Sequence, residues 1–270
     1  KYQINLFIII KIFFKLNLYS LHQNYIYEYI RLVEPKIIIS FKDNDIFFYK
    51  LKNIFKDIKF ISVQNGYRHK DEIFFNKLKK EKINKTKLLV DYYFLFNQNI
   101  ASKLKKYIKF ESKLLGSFRN NKNPVNKKKI FKNLILFISQ FRLQKVKNNK
   151  TGFNVENKLL FYLEDFCIRH KINLNIAGAS SINKVFEKNY LLYNLRKKNK
   201  INYYEKKTGN NSYNLVDKHD MIVFIDSTLG YEAIARKKKI ACFSSRKNIN
   251  KIARPFGFPN DKKFNNFYYS

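Results

Sequence analysis

The chain has 270 residues, 45% of them hydrophobic, enough for two domains of ordinary size with buried cores, which excludes a disordered chain. Its 55 basic against 20 acidic residues leave a net charge of +35, a field that draws a protein to anionic headgroups and polyanionic ligands. As a sign of nucleic-acid binding that charge is discounted here. Lys, Asn, Ile, Phe and Tyr, whose codons are rich in A and T, are abundant, while Gly (7), Pro (4) and Trp (0) are scarce. Much of the lysine excess therefore reads as base-composition drift, and the lysines are scattered rather than gathered with aromatics on one face.

Helical and strand patterns alternate along the chain. The stretch Ile4 to Leu21 is apolar but is interrupted by Lys11 and Lys15, and no small-residue cleavage site follows it, so it reads neither as a membrane span nor as a signal peptide. The chain starts at Lys1 rather than Met, and a preceding portion is expected. An amphipathic helix is predicted over Leu21–Val33, ended by Glu34-Pro35. Strands follow at 36–40, 58–63, 88–96 and 110–115, with helices near 45–55, 71–80 and 97–107 between them. The polar run 119–129 contains Pro124, lacks an apolar period and reads as a linker. Alternation then resumes, with strands at 133–138, 172–177, 201–204, 221–225 and 240–243. Helices are expected near 155–169, 182–195, 213–218 and 229–236.

Such βαβα order predicts α/β architecture with parallel sheets covered on both faces. We expect two doubly wound Rossmann-like domains facing a cleft, 1–120 and 131–270, joined by a linker at 121–130. Cys167 and Cys242 lack metal-ligand spacing and read as buried thiols of a reducing compartment. A cytoplasmic location follows, with peripheral contact to the inner face of an anionic membrane.

Ligands of open α/β sheets lie beyond the carboxyl ends of the strands. In the first half those positions hold Asp43-Asn44-Asp45 and Gln64-Asn65-Gly66-Tyr67-Arg68. In the second they hold Ser139-Gln140-Phe141-Arg142, Gly178-Ala179-Ser180-Ser181 and Asp226-Ser227-Thr228. The last turn runs from an apolar strand into a helix, so unpaired backbone N–H groups offer an anion site at Asp226, Ser227, Thr228 and Gly230. The competing reading is an ordinary helix cap. Glu232 lies one turn further in, set to accept from a ribose hydroxyl or to pair with Arg236 on the same helix. Arg142 has the planar fork that grips a diphosphate. Asp43 and Asp45 are candidate bases for deprotonating an acceptor, or caps of the next helix. No metal-ligand cluster is found, and no cofactor is expected.

Phe41–Asp45, Ile61–Arg68, Phe137–Arg142 and above all Ile225–Arg236 resemble, in the same order, the bacterial surface carbohydrate biosynthesis family. That family is related to the two-Rossmann-domain (GT-B-like) glycosyltransferases and to the glycerophosphotransferases of wall polymers. The resemblance implies a GT-B-like glycosyltransferase, with a nucleotide-sugar donor held at Arg142, Gly178, Asp226, Ser227, Thr228, Gly230 and Glu232. A carbohydrate or lipid-linked acceptor would lie near Asp43, Asp45, Asn44, Gln64, Asn65, Gly66 and Arg68. It departs from the pattern at Lys237, where many members have a Gly serving a left-handed helix cap, and at Asn65, where wall-polymer transferases have a His. Rival readings are a sugar-nucleotide epimerase or a glycerophosphotransferase on the same frame, a basic nucleic-acid-binding protein, and a decayed enzyme.

Overall fold

The computed structural model describes residues 5–13, 20–69, 72–126, 131–141, 153–193, 195–196, 201–206, 211–225, 227–243, 263–264 and 267–269. The chain forms two compact units, one of 1–65 with 71–116 and the other of 66–70 with 117–270. Residues 66–70, between two stretches of the first unit, thus group with the second. The boundary falls at Gly116/Ser117, just ahead of the run expected as a linker.

In the first unit, helices α1 (Leu6–Phe13) and α2 (Leu21–Val33) precede strand β1 (Ile37–Ser40). The alternation continues through α3 (Ile46–Ile54), β2 (Lys59–Val63), α4 (Ile73–Ile83), β3 (Leu89–Leu95), α5 (Gln98–Leu104) and β4 (Lys109–Leu114). All four strands pair in parallel in the order β1-β2-β3-β4. Every crossover advances the same way, so this sheet contains no reversal of strand order among the described residues. Among them, no helix is long and apolar enough to cross a membrane.

The second unit opens with the short helix α6 (Phe118–Lys122), capped by Ser117, whose Oγ accepts from Asn120 N at 3.2 Å. Part of the predicted linker is therefore helical. It is followed by β5 (Phe131–Ile138), α7 (Phe153–Arg169), β6 (Asn173–Ala177), α8 (Lys184–Leu192), β7 (Asn202–Tyr204) and α9 (Asn211–Lys218). Then come β8 (His219–Phe224), α10 (Thr228–Ala235), β9 (Lys239–Cys242), β10 (Lys263–Phe264) and β11 (Phe267–Tyr269).

The strand order is β10-β11-β9-β8-β5-β6-β7, parallel except for the β10–β11 hairpin. Counted from β5, the parallel part is the 3-2-1-4-5-6 order of a dinucleotide-binding sheet, with its topological switch point between β5 and β8. Side-chain alternation makes the two faces. Leu136, Ile138, Ile222 and Phe224 pack with Val216, Tyr231 and Ala233 on one side. Ile135, Phe137 and Val223 pack with Leu160, Leu163, Cys167 and Leu191 on the other. Both cysteines are free and buried.

Three helices close with a lysine in the left-handed conformation: Lys85 after α4, Lys171 after α7 and Lys237 after α10, with φ of 54°, 54° and 59°. Each carries the paired bonds of a Schellman motif. After α10 these run from Lys237 N to Ile234 O at 2.9 Å and from Lys238 N to Ala233 O at 3.1 Å. The sequence expectation of a left-handed position at 237 holds, with lysine where the backbone favours glycine.

Candidate functional site

In the first unit, Asp43 is fully buried at the end of β1. Its Oδ2 accepts from the Tyr93 hydroxyl at 3.1 Å and its Oδ1 from Asn65 N at 3.3 Å, while its carbonyl accepts from Tyr49 at 2.6 Å. Donors from β3 and from the turn after β2 reach the carboxylate and one from α3 reaches the carbonyl, so Asp43 ties the strand ends together. Asp45 caps α3, accepting from Phe47 N at 3.1 Å, and pairs with Lys42 at 3.3 Å. The cap reading stands for it.

Asn44 is exposed in the turn between them. Gln64 is buried and accepts from Phe96 N at 2.9 Å, and the Asn65 amide donates to Phe41 O at 2.6 Å. Gln64 and Asn65 thus brace the turns, while Asn44 stays exposed.

Gly66 and Arg68 belong to the second unit. A Cβ on Gly66 would stand 3.3 Å from Thr228 Oγ1. Tyr67 N donates to the same hydroxyl at 3.5 Å, and the Tyr67 ring packs on Tyr231 with centroids 5.1 Å apart. Arg68 is buried, with Nη1 donating to Tyr67 O at 3.1 Å. His69 is buried and stacked on Tyr67.

Three strand-end turns surround the switch point, and their backbone donors are treated differently. After β5, Ser139 N donates to Ala177 O at 3.0 Å, Gln140 N to Glu156 Oε1 at 2.8 Å and Phe141 N to Ser139 Oγ at 3.1 Å. After β6, Gly178 N donates to Tyr204 O at 2.9 Å. Ala179 N and Ser180 N donate to the Glu187 carboxylate at 2.7 and 2.8 Å. The first three N–H groups after each of these strands, Ser139–Phe141 and Gly178–Ser180, thus meet the protein's own acceptors.

The β8–α10 turn differs. Ser227 stands at the N-cap, yet its side chain makes no cap bond. The N–H groups of Thr228, Leu229 and Gly230 lie in the first helical turn, where no intrahelical acceptor exists, and no described residue accepts from them. Ser227 thus occupies the cap position without the side-chain bond of an ordinary cap. Gly230 is buried, and a Cβ there would collide with the Phe224 ring. The absence of a side chain there serves helix–strand packing. Arg142 and Asp226 lie outside the described residues.

Glu232 is 8% exposed. It accepts from the Ser117 hydroxyl and, at 2.7 Å, from the Tyr213 hydroxyl. Burial raises its carboxyl above the ordinary value, against the opposing pull of those two hydrogen bonds. Each oxygen of the carboxylate therefore already holds one donor from within the second unit. Nor does Glu232 pair with Arg236, which turns to Asp217 instead.

A cavity of about 530 Å³ opens at the ends of β6 and β7, lined by Gly178, Tyr203, Tyr204, Glu205 and Lys218 among others. A Cβ on Gly178 would collide with the Tyr203 hydroxyl, so only glycine fits there. At about 4.8 Å per strand spacing, this cavity lies roughly 10–14 Å across the sheet from the β8–α10 turn. The sequence reading missed Glu156, Glu187, Tyr203 and Tyr213. For the two glutamates the one signal was an acidic residue on a helix that follows a strand-end turn, which is shared by many surface charges.

A family described as "putative O-antigen biosynthesis protein" matches residues 61–269. No curated protein sequence matches. Among solved structures, a protein described as a "putative UDP-N-acetylglucosamine 2-epimerase" from Listeria monocytogenes aligns with a TM-score of 0.57 at 13% identity, covering 82% of this chain and 59% of its own. MnaA of S. aureus, solved with UDP, aligns with a TM-score of 0.53 at 16% identity, covering 85% of this chain and 65% of its own. TarM aligns with a TM-score of 0.50 at 12% identity, covering 93% of this chain and 49% of its own. At such identities the likeness establishes the fold, a GT-B-like α/β frame with parallel sheets. The chain spans about half to two thirds of the length of these three proteins.

Proposed function

This chain belongs to the O-antigen biosynthesis protein family, and from that premise we propose a glycosyltransferase-like enzyme of surface polysaccharide assembly. The second unit binds a nucleotide-activated sugar, and the sugar passes to a carbohydrate or lipid-linked acceptor. One observation carries the reading. No described residue accepts from the N–H groups at the start of α10, which opens within four residues of β8 beside the switch point. Free amides at a helix N-terminus hold phosphate oxygens and offset the charge of a leaving diphosphate. The Glu156 and Glu187 carboxylates in the neighbouring turns repel an anion and confine it to α10.

The cavity at β6 and β7 then receives the base, at a distance suited to an extended nucleoside diphosphate. The UDP bound in the MnaA structure supports that choice of ligand class. The net charge of +35 supports peripheral association with an anionic membrane on the cytoplasmic side, where a lipid-linked acceptor is reached.

Calorimetric titration with UDP, GDP, CDP and ADP tests the reading. At least one should bind, and Thr228→Trp, which fills the turn, should weaken it by on the order of tenfold or more, the worth of one charge-assisted hydrogen bond. Unchanged affinity in that variant removes the site. A second reading, epimerisation of a nucleotide sugar, has the support of a neighbour described as an epimerase. Turnover of a nucleotide sugar with no acceptor present favours it, whereas turnover only with an acceptor favours transfer.

A further inference from the structure

Glu187 lies in the first half of α8 and is fully buried. Its Oε1 accepts from the Ser139 hydroxyl at 2.7 Å and from Ala179 N at 2.7 Å, and its Oε2 accepts from Ser180 N at 2.8 Å. Ser139 in turn accepts from Phe141 N at 3.1 Å. One carboxylate thus joins the end of β5, the turn after β6 and α8. A buried carboxylate costs several kcal/mol unless donors converge on it, so this arrangement tolerates little displacement of the turns that supply them.

The same carboxylate acts on the cavity wall. The Tyr203 hydroxyl is sealed from solvent and makes no full hydrogen bond with a described residue. Burial, followed by the charge of Glu187, holds its phenol well above the ordinary value, so the ring stays neutral. Gly178, at the start of the turn that Glu187 grips, leaves just enough room for that hydroxyl. Gly178, Tyr203 and Tyr204 are three of the residues lining the cavity.

We propose that Glu187 is a positioning residue for the nucleoside half of the ligand, holding the β6 turn and Tyr203 in the shape that accepts the base while taking no part in binding the phosphates. The proposal rests on the nucleotide-binding reading of the second unit and assigns the two halves of the ligand to different supports. The phosphates depend on the free amides of α10. The base depends on a turn that the Glu187 carboxylate has already closed.

Titration with UDP and with inorganic pyrophosphate separates the halves. In Glu187→Gln the amide cannot accept from both turn N–H groups, and UDP affinity should fall by on the order of tenfold, the worth of a charge-assisted hydrogen bond. Pyrophosphate affinity should stay within about twofold, since none of its partners changes. Ser139→Ala removes one donor and leaves the carboxylate in place, so it should give a smaller loss of the same kind, and it carries the test if Glu187→Gln does not fold. A merely structural role lowers both affinities together with the melting temperature. Wild-type protein that binds both ligands, with variants that lose both alike or neither, overturns the role of Glu187 alone. Wild-type protein that binds neither removes the parent reading, and this proposal with it.

Discussion

Arg236 and Asp217 form a two-bonded ion pair inside the second unit, with Nε to Oδ1 at 2.7 Å and Nη2 to Oδ2 at 2.5 Å. The two side chains are 0% and 1% exposed. The remaining donors of Arg236 reach Asn120 Oδ1 and Asn123 O, both at 2.9 Å, and Asn126 N donates to Asp217 at 2.8 Å. The segment after α6 is thereby bound to α10 rather than left as a free linker. Removing one member leaves the other charge buried and alone, so Asp217→Ala should cost about 3–5 kcal/mol in urea unfolding.

The same pair predicts acid lability. Burial works to raise the Asp217 carboxyl, but the Arg236 bonds, Asn126 N–H and the neighbouring charges outweigh it and hold it below the ordinary value of 3.8. A depressed carboxyl contributes stability that is present above its unfolded value and is lost as pH falls through the folded one. The urea midpoint should therefore drop on acidification below that ordinary value, and Asp217→Ala should flatten the drop.

Glu232 predicts the opposite sign. Its raised carboxyl favours the protonated form in the folded protein. That contribution is complete below the unfolded value and is lost as pH rises through the folded one. Glu232→Gln, a mimic of the protonated acid, should melt higher than wild type at pH 7 and match it below pH 4. A variant that is less stable at pH 7 contradicts this account of the burial.

Lys237 holds a left-handed backbone at φ 59°, which costs a side-chain-bearing residue about 1–2 kcal/mol. Lys237→Gly should raise stability by about 0.5–1 kcal/mol after the greater chain entropy of glycine is subtracted. Lys237→Ala, which keeps the Cβ, should not. Urea midpoints of the three proteins decide it.

Gly230 and Phe224 touch so closely that no Cβ fits between them. Gly230→Ala should cost about 1–3 kcal/mol through displacement of the ring or the helix. The loss is to be read in thermal unfolding without ligand, because the contact belongs to the core.

Local pattern was enough for the elements. The helix predicted at Leu21–Val33 is observed over those residues, and the strand predicted at 88–96 is observed as Leu89–Leu95. The Asp45 cap and the left-handed turn at Lys237 were legible for the same reason, since each depends on neighbours within a few residues. Arg142 and Asp226 lie outside the described residues, so their expected roles are not carried further.

The sequence by itself determined the alternation of strand and helix and the parallel sheets, because periodicity is a property of adjacent residues. Only the tertiary structure decided which strand-end groups meet which distant partners. Glu187 reaches Ser139 across 48 positions, Asp217 reaches Asn126 across 91 and Ser117 reaches Glu232 across 115. Such partners are chosen by the order in which strands lie side by side, and the spacing of residues along the chain does not encode that order. The burial of Asp43 was not legible on the same account: burial is set by whatever packs above a residue, and here that is Tyr49 and Tyr93.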